Sequence, residues 1–209
     1  MNTNAPTLQR QGQGRSVFET VLTNARLILE DEEISGSLSF DAAGIRAIGS
    51  FEVSVGLYPH VHPESPSIDH DIDVLKAKID AGATRAITQF FFDLDGFLRF
   101  MDRVRKAGVT IPISPGIMPV TNFKGLKKMA GPIGIQLPAW LANLFEGLDK
   151  DPDTRRLLAC SVATETCARL AEEGFSDFHF YTLNRADLTY AICRVLGVRE
   201  PEKLKEVAA

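Results

Sequence analysis

The chain has 209 residues, 44% of them hydrophobic and 24% charged, a balance that excludes wholesale disorder. Twenty-three Lys and Arg against 27 Asp and Glu leave a net charge of −4, which argues against a protein that coats nucleic acid. No stretch approaches the ~20 apolar residues of a membrane-spanning helix, so the expectation is a soluble, cytoplasmic protein with neither nucleic-acid nor membrane partners.

Residues 1–16 are polar, rich in Gln, Asn and Gly, and read as a disordered leader. Residues 17–50 carry short apolar runs at Ala25 to Leu29, Ile34 to Phe40 and Ile45 to Ile48, interrupted by an acidic patch and by Asp41-Ala42-Ala43-Gly44. In the middle run Ile34, Gly36, Leu38 and Phe40 alternate with Ser35, Ser37 and Ser39. That period of two predicts an antiparallel β meander. Three strands bury too little to stand alone, so the piece needs a partner surface.

From residue 51 the pattern becomes strand, loop, helix, repeated four times up to residue 199, with a tail over 200–209. Strands are predicted at Glu52–Leu57, Arg85–Phe91, Ile111–Ser114 and Asp177–Tyr181. Helices are predicted at Ile68–Ala81, Leu94–Ala107, Asp153–Glu173 and Ala186–Leu196, with shorter ones at Phe123–Ala130 and Ala139–Phe145. Gly82, Gly108, Gly174 and Gly197 each follow a helix, where a left-handed terminating residue is wanted. Alternation of this kind implies parallel strands joined by helical crossovers. Cys160, Cys167 and Cys193 form no C-x-x-C pair and read as free thiols.

Four stretches carry chemistry. Residues 52–64 run from a strand into a Pro-punctuated loop bearing Tyr58, His60, His62 and Glu64, at the strand end where α/β folds bind ligands. His60-x-His62 also has the spacing of a two-imidazole metal site, but no H-E-x-x-H or carboxylate cluster accompanies it. Gln89 interrupts the apolar strand Ala86–Phe91; it either faces a polar ligand or is satisfied by neighbouring backbone. Residues 114–123 suggest a strand end turning sharply through Pro115, Gly116 and Pro119, with Thr121 or Asn122 capping the next helix. Arg185 follows an aromatic strand at a helix start, where the helix dipole disfavours a merely solvated cation and a carboxylate clamp is the functional reading.

The strings YPHVHPE, LKAKIDAGATRAITQFFFD, PGIMPVTNF, PAWLANLFEGLDKD and DFHFYTLNRADLTYAIC resemble the bacterial methylenetetrahydrofolate reductase family over about residues 51–199. That resemblance implies an α/β fold, a partial (β/α)8 TIM barrel of about four βα units from its second half, preceded here by the short β-rich segment. It also implies FAD as cofactor and NAD(P)H-dependent reduction of 5,10-methylenetetrahydrofolate to 5-methyltetrahydrofolate, a step in methionine synthesis. By the same resemblance Tyr58, His62, Asp71 and Lys78 look like cofactor contacts, and Gln89 and Arg185 like contacts to folate, Gln89 also to nicotinamide. Val74 and Ala77 stand where some relatives have Asn and Arg near FAD, and Gly125 and Met129 replace a Gln and a Phe near the substrate.

The family's Phe-Glu-Phe-Phe-Pro-type segment, which supplies a general-acid glutamate, and its Arg-Gly-Asp segment do not occur in this sequence. No catalytic residue is therefore assigned, and reduced or no turnover is expected of the chain. Half a barrel has two open sheet edges that invite pairing with another chain or a second copy. Residues 17–50 resemble, more briefly, the β-rich start of phosphonate-metabolism amidohydrolases. The competing readings are thus an amidohydrolase-like metal enzyme and a non-catalytic fusion remnant.

Overall fold

In the computed structural model, which describes residues 20–28, 33–41, 44–49 and 52–199, the chain divides into two compact units between residues 51 and 52. The leader over 1–16 and the tail over 200–209 lie outside the described residues. In the first unit β1 (Thr20–Ile28), β2 (Glu33–Asp41) and β3 (Gly44–Gly49) pair antiparallel in the order β1-β2-β3. Leu38 stands opposite Leu22 on one side and Ile48 on the other. Each ladder carries one register shift, between Leu22 and Ala25 and between Ser39 and Phe40.

The second unit alternates strands and helices. β4 (Ser54–Leu57) leads to α1 (Ile68–Asp80), β5 (Arg85–Phe90) to α2 (Leu94–Lys106), and β6 (Ile113–Ile117) to α3 (Phe123–Ala130) and α4 (Ala139–Phe145). A 3-10 turn at Leu148–Lys150 and the long α5 (Pro152–Glu172) precede β7 (His179–Phe180) and α6 (Ala186–Val195). The four strands are parallel and hydrogen-bond in chain order, β4-β5-β6-β7. Each crossover therefore steps the same way, as in an arc of a (β/α)8 barrel; a doubly wound sheet would reverse direction at a switch point.

Local chemistry sets the helix limits. Ser67, Asp93, Asn122 and Asp151 accept N–H bonds from His70, Gly96, Gly125 and Thr154, capping α1, α2, α3 and α5. Gly82, Gly108, Gly174 and Gly197 all have positive φ just past helix ends, as expected. Apolar stripes then bury α1 through Ile72 and Leu75, and α2 through Phe97, Phe100, Met101 and Val104. They join Leu57, Ala86, Ile113, Ile117 and, from α5 and α6, Cys167, Leu170 and Ile192 in one core, each large side chain contributing roughly 1.5–3 kcal/mol. A second cluster under α3 and α4 gathers Phe90, Met118, Val120, Leu126, Leu141 and Phe145. The three cysteines are free, and burial pushes the Cys167 thiol up to about 12, with Cys193 adding to the effect.

The predicted third parallel strand is displaced. Pro115 and Gly116, expected to turn the chain, lie inside β6, every residue of which is buried. The turn follows later, around Met118–Thr121. A register shift between Ile87 and Phe90 of β5 accommodates the irregular partner. β7 is shorter than expected, two residues in place of five.

Candidate functional site

Four of the predicted residues meet at one cavity of about 410 Å³ along the outer edge of β4, between the strand end and α1. Tyr58 and His62 come from the loop after β4, and Asp71 and Lys78 from α1; Gly56, Glu64, His70 and Val74 are among the other residues that line it. The loop is pinned rather than loose. His62 N–H donates to Asp71 Oδ2 at 2.9 Å, tying the loop to the first turn of α1. Glu64 N–H donates to His62 Nδ1 at 3.2 Å, which leaves the proton of a neutral imidazole on Nε2, free to donate. The Tyr58 ring packs edge-on between His60 and His62, at centroid distances of 5.3 and 4.5 Å. Lys78 Nζ donates to the Gly56 carbonyl at 2.9 Å, so its ammonium is held against the strand.

His60 faces away from this cavity. Its Nε2 lies 3.3 Å from the Ile133 carbonyl, and burial, partly opposed by that bond and by Asp71, lowers its pKa below 6.5. It lines a larger groove of about 610 Å³ with Phe91, Phe97, Arg99 and Arg103. That groove is the weaker candidate, because Asp93 and Asp69 already occupy its guanidiniums, at 3.8 and 2.6 Å. The two histidines of the H-x-H pair thus serve different pockets. Among the described residues no three His, Cys, Asp or Glu side chains converge on a metal-sized site.

Gln89 lies half-buried near the end of β5, and its Oε1 accepts the N–H of Phe90 at 3.0 Å. Neighbouring backbone, the alternative left open by the sequence, satisfies its carbonyl. Beside it is a tightly packed wall that sequence reading missed. Thr88 Oγ1 accepts the Gly116 N–H at 2.8 Å, and Tyr181 Oη donates to the Thr88 carbonyl at 3.1 Å. Burial, and secondarily nearby Tyr58, raise the Tyr181 pKa, which keeps it a donor. A Cβ on Gly116 would sit 2.3 Å from the Thr88 carbonyl oxygen and 2.8 Å from the Tyr181 ring, so only glycine fits. The legible signal was the glycine itself, read instead as a turn.

Arg185 is the N-cap residue of α6 and makes no side-chain cap bond. It borders a small cavity of about 200 Å³ with Thr121, Asn122 and Thr182. The chain reaches it through a turn in which Arg185 N–H bonds the Thr182 carbonyl at 2.9 Å while Leu183 and Asn184 have φ of 49° and 63°. Both left-handed values make this a type I′ turn. Gln89 and Arg185 each lie at the C-terminal side of their strands, in units separated by β6.

The sequence profile of the family described as methylenetetrahydrofolate reductase matches residues 43–197. The 5,10-methylenetetrahydrofolate reductases of Pectobacterium carotovorum subsp. carotovorum and Escherichia coli (strain K12) are each 52% identical over 155 residues, covering 74% of this chain and 52% of theirs. A probable methylenetetrahydrofolate reductase (NADH) of Oryza sativa subsp. japonica is 34% identical over 163 residues, covering 74% of this chain and 27% of that one. The chain spans about half the length of the bacterial relatives it matches. Among solved structures, an uncharacterized Clostridium thermocellum protein that binds two copies of 5-methyl-5,6,7,8-tetrahydrofolic acid aligns with a TM-score of 0.49 and 17% identity, covering 70% of this chain and 54% of that one.

Proposed function

Because the chain belongs to the methylenetetrahydrofolate reductase family, we propose that it is the cofactor- and folate-binding portion of a flavoprotein that reduces 5,10-methylenetetrahydrofolate to 5-methyltetrahydrofolate with NAD(P)H. The observation that carries this reading is the convergence of Tyr58, His62, Asp71 and Lys78 on one cavity. The donor set suits FAD. Lys78 supplies a cation for an anionic dinucleotide, His62 a free Nε2–H, and Tyr58 a flat ring already braced by two imidazoles. Bound flavin supplies hydride transfer between nicotinamide and folate.

The chain's own part is binding and orientation. Asp71 fixes the His62 backbone, so the ring meets its ligand without first ordering the loop. Tyr181 and Gly116 hold the β5 backbone at Thr88, which sets where the Gln89 amide stands. Arg185 offers a guanidinium fork to the carboxylates of a folate tail, presented by a turn rather than buried in a core. The sequence carries no glutamate string of the general-acid type, so no proton is assigned to a residue here.

The test is a titration of the purified 209-residue chain with FAD, followed by flavin fluorescence. Saturable binding that weakens at least tenfold in Lys78→Met is expected, with flavin reduction by NADH weak or absent. A chain that binds zinc but no flavin would overturn the reading in favour of the metal enzyme.

A further inference from the structure

Among the described residues nothing requires position 56 to be glycine. Its φ lies outside the left-handed region, so the backbone does not demand it. A Cβ built there would meet no atom of the described residues within 4 Å, so their packing does not demand it either. Gly116 is the contrast, since there a Cβ strikes the Thr88 backbone. Glycine weakens a strand by its entropy and its missing side chain, and in strand interiors it marks close approach of a ligand or another backbone.

The surroundings point to a ligand. β4 sends Val55 and Leu57 into the helix-covered core and leaves Ser54 and Gly56 exposed. Gly56 lines the cavity that also holds Tyr58, His62, Asp71 and Lys78. Its own carbonyl takes the Lys78 ammonium, which fixes a positive charge within one residue's reach of the bare backbone. We propose that Gly56 is the seat of this pocket: the surface on which an anionic dinucleotide lies in van der Waals contact with main chain, a residue that sets what fits. This inference rests on the flavin reading and deepens it.

A size series at this position tests it, using the full chain and FAD as the probe. Gly56→Ala, Gly56→Val and Gly56→Leu fill space that the protein leaves open, so thermal melting stays at the parent value or rises. Binding is expected to fall with side-chain size, by less than about threefold for alanine and by more than about tenfold for leucine. A leucine variant that melts like the parent and binds FAD as tightly would overturn the seat while leaving the flavin reading intact. Should the parent itself bind no FAD, the flavin reading fails and the seat with it.

Discussion

His60 shows how one side chain couples the loop after β4 to solution conditions. It is partly buried against the Ile133 carbonyl, and burial holds it in the neutral form. Its folded pKa lies below 6.5, the ordinary value, so the unfolded chain takes up this proton first as pH falls. The stability it contributes is complete above about pH 6.5 and is lost progressively below that, until the folded form protonates as well. Urea unfolding at pH 7.5 and pH 5.5 should show a loss in the parent that is smaller in His60→Gln, which cannot titrate. Equal losses in both chains would remove His60 as the cause.

Among the connecting elements, the turn before α6 stores strain. Leu183 has a positive φ and a side chain that is 67% exposed, so it meets the steric cost of the left-handed region with little burial in return. Leu183→Asn keeps the turn and removes most of that cost. We expect a gain of about 0.5–1 kcal/mol in denaturant unfolding. This turn was invisible in the sequence, because Thr182-Leu183-Asn184-Arg185 contains no glycine and only Asn184 is a turn former. The helices were legible for the opposite reason. Ile72 with Leu75, and Phe97 with Phe100, Met101 and Val104, repeat at helical spacing, and a glycine stops each run. β6 was misplaced because Pro115-Gly116 carries turn chemistry in isolation. Its tertiary setting, walled by Thr88 and Tyr181, overrides that preference. The candidate site was legible as residues but not as partners: the hydrogen bond from Lys78 to Gly56 joins a helix to a strand, and no periodicity announces it.

Across the larger unit, Arg85 ties the beginnings of the strands together. Its Nε donates to Ser114 Oγ at 3.0 Å on β6. Its guanidinium also reaches Glu52, ahead of β4, at 3.1 Å and Asp177, ahead of β7, at 3.7 Å. The carboxylates are exposed, so each ion pair is worth little alone, and the hydrogen bond to Ser114 carries most of the effect. Arg85→Met should cost about 1–2 kcal/mol in urea unfolding and leave FAD affinity unchanged, because the proposed FAD pocket lies at the other end of the strands. A large affinity loss would mean that the two ends are coupled. The pocket itself is built within residues 56–78, from one strand, one bend and one helix. Its lining is thus short-range in chain terms, while its scaffold is not: β4 pairs with β5, and His60, which braces Tyr58, reaches the Ile133 carbonyl. The small cavity beside Arg185, bordered also by Asn122 and Thr182, instead draws on loops that follow two different strands.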